Sequence, residues 1–380
     1  MSVYKRGDGR WQVLIDLERG VEGKRRRRAL GTYPTRKKAE AAERAALEAR
    51  DRGLGLSPRT ATIADILAHF VAARRTKGCA VRTIERYEAL ARTGILPHLG
   101  TVSIAKLTPA HVSSWLATLQ ERGGVKGGPL SPHTAKHNLV MLRSALRWAV
   151  RNDLAARNVA EAVDPPTVAR SQGKALGNDD ASRFLAAADA TPWGTFFRVA
   201  LGTGARRGEL LALRWSDVDF EAGMVTIARA VVEVGAGEAR RVLEKSTKTD
   251  RVRSIPLGPM VLEALRRQKT AQAKDKLAAG GAFTDSGHVF QGQLGGGIAP
   301  GRASEAFRRV CQRCRIDASL HDLRHTAATW MLAGGIDVRT VANVLGHSAA
   351  STTLNVYGHV VAGAEAKAVA AIERRLGKRR

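Results

Sequence analysis

The 380-residue sequence predicts a mainly α, multidomain chain. Its expected parts are a small N-terminal three-stranded β-sheet plus helix, a helical second domain and a mixed α+β third domain. Three observations carry this expectation. The length exceeds what one domain of about 100–200 residues holds. Apolar residues recur at helical spacing through most of residues 61–163 and 175–380, with strand-like runs confined to the N-terminus and the middle of the last region. Asp164-Pro165-Pro166 and the polar residues through Gly173 read as a linker.

The elements follow in order. In residues 1–55, Gly7-Asp8-Gly9 sits between two short extended segments, a hairpin signal. A second turn, around Gly20 to Gly23, precedes the basic run Lys24-Arg25-Arg26-Arg27-Arg28 on a predicted strand. The Ala/Glu/Arg-rich stretch from Arg36 to Arg50 reads as a helix. In residues 61–163, Ile63, Ile66, Leu67, Phe70 and Val71 mark one helix, and further runs cover Val81 to Arg92, Thr108 to Glu121 and Ser131 to Asn152. Thr108-Pro109 and Ser131-Pro132 are cap signals, a hydroxyl followed by proline at the first helical position. Four or five helices and no sheet are expected there. In residues 175–380 helices dominate, with strands near Met224 to Val232 and Arg251 to Pro256.

Charge narrows the partners. The chain carries 62 Lys+Arg against 35 Asp+Glu, a net of +27. Such a field attracts polyanions, either nucleic acid or an acidic membrane surface. No apolar run approaches the roughly 18–20 residues of a spanning helix, and the start, MSVYKRGDGR, lacks a signal-peptide core. A cytoplasmic chain with no membrane partner is expected. Residues 1–60 hold 16 Lys+Arg and 8 Asp+Glu. A charge run is usually a solvated face, but on a strand alternate side chains share one side. That arrangement favours a DNA groove contact through Lys5, Arg6, Lys24, Arg25, Arg26, Arg27 and Arg28. Three cysteines form no disulfide framework. Cys311-x-x-Cys314 would need two more ligands for zinc, with His321 the nearest candidate. No metal and no cofactor are expected.

Three segments hold the residues suited to chemistry. In Leu320-His321-Asp322-Leu323-Arg324-His325, the two histidines and the arginine fall at i, i+3 and i+4, on one helix face, with Leu323, Ala327 and Trp330 opposite and free to pack. The spacing of His321 and His325 matches a zinc-protease helix, but Asp322 stands where that motif needs Glu, and Arg324 between the ligands would oppose a cation and suit an anion. In Thr203-Gly204-Ala205-Arg206-Arg207-Gly208-Glu209-Leu210-Leu211, Arg206 stands just before a helix, and Glu209 is placed to buttress it. In the third segment Asp337 is a cap, and its helix ends at Gly346, a left-handed glycine before His347. Ser351 is read as the cap of a further short helix carrying Tyr357. Taken singly, Arg206 reads as a surface arginine and Tyr357 as a packing residue.

Together the three segments resemble the signature boxes of the tyrosine recombinase, or phage integrase, family. T-G-A-R-R-G-E-L-L is similar to its first arginine box, H-D-L-R-H-T to its H-x-x-R-H box, and L-G-H-S with S-T-T-L-N-V-Y to its closing box. Residues 175–380 would then be the catalytic domain. Residues 61–163 resemble the helical core-binding domain, and residues 1–55 the arm-type DNA-binding domain.

The resemblance implies a site-specific DNA recombinase or integrase that cuts and rejoins DNA through a 3′-phosphotyrosyl intermediate, without metal or ATP, and integrates or excises a mobile element. Arg206 and Arg324 would hold the scissile phosphate and Tyr357 would attack it. His347 would donate to a non-bridging oxygen, His321 would move a proton at the nucleophile, and His325 and Glu209 would support the site. A lysine on a strand turn would protonate the leaving oxygen. Lys248 fits the setting, with Lys245 a close rival. Implied partners are double-stranded DNA attachment sites, a homotetramer on DNA, and accessory DNA-bending or excision factors. The tail from Ala364 to Leu376 would dock on a neighbouring subunit or pack on its own domain. Two other readings stand beside this one: a type IB topoisomerase-like enzyme that relaxes DNA, and a DNA-binding protein with a decayed site.

Overall fold

A computed structural model of the chain describes residues 2–7, 9–17, 26–51, 61–124, 127–168, 174–235, 241–246, 252–347, 349–351 and 353–354. The chain divides into two compact units, Met1–Ala169 and Arg170–Arg380.

The first unit begins with strands β1 (Ser2–Lys5), β2 (Trp11–Leu17) and β3 (Arg26–Tyr33), an antiparallel sheet in that order, followed by helix α1 (Arg36–Asp51). Val13 and Ala39 are fully buried, because α1 covers one face of the sheet. The expected sheet and helix are present. The helices α2 (Ile63–Thr76), α3 (Val81–Leu90), α4 (Leu96–Leu99), α5 (Pro109–Arg122) and α6 (Pro132–Arg151) complete the unit. Thr108 and Ser131 cap α5 and α6 by accepting the N–H groups of His111 and Thr134. The apolar stripe of α2 is buried, with Phe70 against Tyr87 and Trp148. One turn of π-helix, Ala91–Ile95, joins α3 to α4. Its Gly94 is required by close packing, since a Cβ there would lie 2.0 Å from Asn138 Oδ1.

The second unit contains helices α7 (Asn178–Asp189), α8 (Gly194–Thr203), α9 (Arg207–Leu211), α10 (Pro259–Ala279), α11 (Pro300–Cys314), α12 (Leu320–Ala333) and α13 (Val338–Leu345). Phe184, Phe196, Phe197 and Phe307 stack edge to face at its centre. Strands β4 (Val218–Asp219), β5 (Met224–Ile227) and β8 (Arg253–Pro256) form one antiparallel sheet, with β5 central. Strands β6 (Arg229–Val234) and β7 (Arg241–Ser246) form a separate ribbon. The stretch predicted as one strand from Met224 to Val232 is therefore split after Ile227, and its second half pairs with β7. That strand has no alternating signal. Val242 and Leu243 are adjacent and both exposed, so neither side of the ribbon there is a buried face.

Two local expectations are corrected. Trp330 does not pack away; it is 39% exposed beside Met331, Met260 and Val261 in an open apolar groove, while Leu323 and Ala327 are buried. Ser351 is not a cap, because the chain is already helical at Ala350. Cys311 is a core residue of α11 whose thiol burial pushes up to about 12, and Cys314 Sγ lies 3.7 Å from the Arg183 carbonyl.

Candidate active site

The first segment is held by the end of one helix and the start of the next. The apolar helix α8 stops at Gly204, whose φ of +61° is left-handed. The chain then turns through Ala205 into Arg206, the residue capping α9. Leu210, Leu211 and Leu213 bury beneath it, so the turn cannot drift. The Arg206 side chain stays 45% exposed. Its Nη1 donates to Glu209 Oε1 at 2.9 Å, and its Nη2 donates to the Gly346 carbonyl at 3.1 Å.

Glu209 is 3% exposed and serves two arginines. Its Oε2 accepts the Arg206 backbone N–H at 2.9 Å and Arg253 Nη2 at 2.6 Å. Burial alone would raise this carboxyl, but the Arg253 hydrogen bond and charge, with those of Arg206, hold it below the ordinary glutamate value. Arg253 also donates through Nε to the Val344 carbonyl at 2.8 Å. The sequence had not marked Arg253; it was only a basic residue on a strand.

The second segment forms the start of α12. Ser319 and Asp322 cap this helix: Asp322 Oδ2 accepts the Ser319 N–H at 2.7 Å and its hydroxyl at 2.9 Å. The Ser-x-x-Asp spacing is a capping-box pattern that could have been read from the sequence. It gives Asp322 a structural reason. Arg324 is 3% exposed, and its Nη1 donates to the Gly204 carbonyl at 2.7 Å. His321 and His325 meet edge to face, ring centroids 4.7 Å apart.

The third segment is set by α13. Asp337 caps it, accepting the N–H groups of Arg339 and Thr340. Gly346 ends it with φ +68°, and a Cβ there would lie 2.7 Å from Arg253 Nη1. Only glycine meets both demands. His347 follows, its Nδ1 2.8 Å from the hydroxyl of Thr353, which is fully buried. In the tautomer in which the threonine hydroxyl donates to Nδ1, the ring proton is on Nε2 and is available to a ligand.

These contacts join the three segments through guanidinium-to-carbonyl bonds. Arg324 ties the second to the first, and Arg206 ties the first to the third. A cleft of about 440 Å³ is lined by Arg206, Arg207, His321, Arg324 and Ser319 over a floor of Leu210, Leu323 and Phe196. Its electrostatics suit an anion. Burial, then the neighbouring His325 and Arg324 charges, pushes His321 down to about 4. Burial, then Arg324 and Arg206, pushes His347 down to about 4 as well. His325 is lowered chiefly by burial. Near neutral pH the imidazoles are uncharged and the two arginines are not, so a phosphate meets fixed cations and neutral donors. Among the described residues no group of three or more His, Cys, Asp or Glu side chains could hold a metal ion.

Other candidates fall elsewhere. Lys245 is on β7, opposite Ala230. Lys5 and Arg6 are exposed at the end of β1. Arg26, Arg27 and Arg28 are on β3, described only in backbone. Lys24, Arg25, Lys248, Tyr357 and the tail from Ala364 to Leu376 lie outside the described residues. Among the described residues no helix is long and apolar enough to cross a membrane.

Comparison with known proteins agrees with the three segments. Residues 174–363 match the model of the phage integrase family, and residues 62–120 match that of the phage integrase N-terminal SAM-like domain. The chain is 24% identical over 387 residues to a "Tyrosine recombinase XerC-like" protein of Caldanaerobacter subterraneus subsp. tengcongensis, covering 97% of each. It is 30% identical over 292 residues to the tyrosine recombinase XerD of Corynebacterium glutamicum, covering 74% of this chain and 86% of that one. Its fold is similar to a lambda integrase tetramer bound to a Holliday junction, with TM-score 0.59, 19% identity and coverage of 92% and 94%. The chain belongs to the phage integrase family, the tyrosine recombinases, and is an enzyme of the DNA strand-transferring kind.

Proposed function

We propose that this site-specific recombinase cuts and rejoins DNA through a 3′-phosphotyrosyl intermediate, without metal or ATP, to integrate or excise a mobile element. The observation that carries the reading is the cleft in which Arg206 and Arg324 converge with His321, each guanidinium braced on a backbone carbonyl of another segment. Arg206 and Arg324 hold the scissile phosphate and offset the charge that builds on it in the transition state. Tyr357 attacks, forming the tyrosine O–P bond as the P–O5′ bond breaks. His347 donates from Nε2 to a non-bridging oxygen, and His321 takes the tyrosine proton. Lys248, or Lys245 as its rival, gives a proton to the departing 5′-oxygen. His325 and Glu209 support the two arginines.

The same reading divides the chain into an arm-type DNA-binding domain (1–55), a core-binding domain (61–163) and a catalytic domain (175–380). Lys5, Arg6, Lys24, Arg25, Arg26, Arg27 and Arg28 contact DNA in the first. The working form is a homotetramer on two attachment sites, helped by accessory DNA-bending or excision factors. The lambda integrase tetramer on a Holliday junction supports that assembly by likeness of fold.

Trapping on a nicked DNA substrate tests the chemistry. The chain should form a covalent adduct that survives denaturation, and Tyr357→Phe should form none. An adduct that persists in Tyr357→Phe would sink the nucleophile assignment. Relaxation of plasmids that lack an attachment site would move the assignment to a topoisomerase.

A further inference from the structure

The ribbon β6–β7 packs against α9, the helix that Arg206 caps. Val231 on β6 pairs with Glu244 on β7. Gly208, two residues past Arg206, lies against that rung so closely that a Cβ there would be 2.4 Å from the Val231 carbonyl oxygen. The backbone of the first arginine segment and the backbone of the ribbon are therefore in direct contact. Across the rung, Glu244 faces two arginines and a histidine from three places in the chain. Arg214 Nη2 lies 3.1 Å from its Oε2, Arg229 Nε lies 3.2 Å from its Oε1, and His288 Nε2 lies 3.4 Å from its Oε2. The Glu244 side chain is 27% exposed and that of His288 is 11% exposed. Arg229 is fixed in turn by Asp217 at 2.6 and 2.5 Å. Among the described residues of β7, no other side chain is held in this way. Val242 and Leu243 are open to solvent.

We infer that Glu244 is the positioning residue that sets the register of this ribbon and so aims the leaving-group lysine. The inference rests on the lysine assignment proposed above. Lys245 is the next residue, on the opposite strand face. Lys248 is four residues on, within about 14 Å of extended chain. Lys245 is carried on the ribbon whose fixed point is the Glu244 rung, and Lys248, outside the described residues, follows it three residues later in the chain. Arg206 keeps its bonds to Glu209 and Gly346, and Arg324 its bond to Gly204, when Glu244 is released, so the expected main effect is on the aim of the proton donor.

A bridging-sulfur substrate separates this role from a general structural one. With oxygen at the scissile 5′ position, the P–O bond breaks as the lysine ammonium gives its proton to the alkoxide. With sulfur there, the P–S bond breaks and the thiolate leaves unprotonated, because its pKa is near 8.5 instead of the far higher value of an alcohol. Single-turnover cleavage of both substrates is measured for the full chain and for Glu244→Ala, Glu244→Gln, Lys245→Ala and Lys248→Ala. Glu244→Ala should slow the oxygen substrate by about 10-fold or more, part of the 10²–10⁴ that a general acid supplies, and cleave the sulfur substrate within about 2-fold of the parent rate. Glu244→Gln, which keeps shape and loses charge, should fall between. The responsible lysine variant should show the same pattern, larger. Equal slowing of both substrates by the two Glu244 variants, or of neither, overturns the role of Glu244. Loss of the pattern from both lysine variants overturns the lysine assignment itself, and the inference with it.

Discussion

The core of residues 61–163 and the core beneath the cleft are built on different terms. In the helical core the side chains are apolar, and among the described residues Asn138 is the one polar side chain buried there. In the second unit, Thr203, Glu209, Gln272, His288, Arg324, Thr326 and Thr353 are buried as well. A buried polar group costs stability unless it is hydrogen-bonded. The two regions meet that cost on different scales: the first buries Asn138, which donates to the Thr134 carbonyl one turn back in its own helix, whereas the second binds several such groups to carbonyls and carboxylates across the fold. One core is organised for stability. The other spends part of its stability on holding charged groups in fixed geometry.

Phe70→Ala should show the largest effect and should confine it to stability. Removing a fully buried ring costs about 3–5 kcal/mol, seen as an earlier urea unfolding transition. The single-turnover cleavage rate at saturating DNA should not change. A matching fall in that rate would break the contrast between the two cores.

Arg324→Ala should do the reverse. Loss of one preorganised cation lowers cleavage by about 10²–10³-fold, measured on the nicked substrate at saturation. Arg324→Lys should recover only part of it, since an ammonium lacks the planar fork that can meet both a carbonyl and a phosphate. Full recovery by lysine would show that charge alone matters there.

The smallest effect is on pH dependence. His321 and His347 titrate near 4 in the fold and near 6.5 when unfolded. Between those values the unfolded chain binds more protons than the folded one, so the stability around the cleft is complete above about pH 6.5 and is lost as pH falls toward 4. Hydrogen exchange, corrected for its intrinsic pH dependence, should show α12 and α13 losing protection at pH 5 relative to pH 7. His347→Gln should lessen that loss. Equal loss in α2 and α6 would blur the contrast.

Much of the fold was legible locally. The stripe Ile63 to Val71, the caps Thr108, Ser131 and Asp337, and the terminating Gly346 all act through neighbours within a few residues, and short spacing encodes them. The β6–β7 ribbon was half missed because β7 leaves no alternation: its adjacent Val242 and Leu243 are both exposed, while the ribbon's buried residues, Val231 and Val234, are on β6. Trp330 was placed on a packing face correctly by angle, yet among the described residues it is only partly covered. Of the site, the residue types and their order were legible as a family resemblance. Their mutual bracing was not.

The sequence by itself determined the helices, their ends, the strong positive charge and the three segments that place arginines, histidines and a tyrosine in order. Periodicity and caps are local, and charge is a sum, so each survives reading in one dimension. The tertiary structure decided that Arg324 reaches Gly204 across 120 residues, that Arg206 reaches Gly346 across 140, and that Arg253 stands between Glu209 and Val344. Bonds that span such distances along the chain leave no periodic trace. They exist only once α8, α12, α13 and β8 have packed and brought the carbonyls within reach.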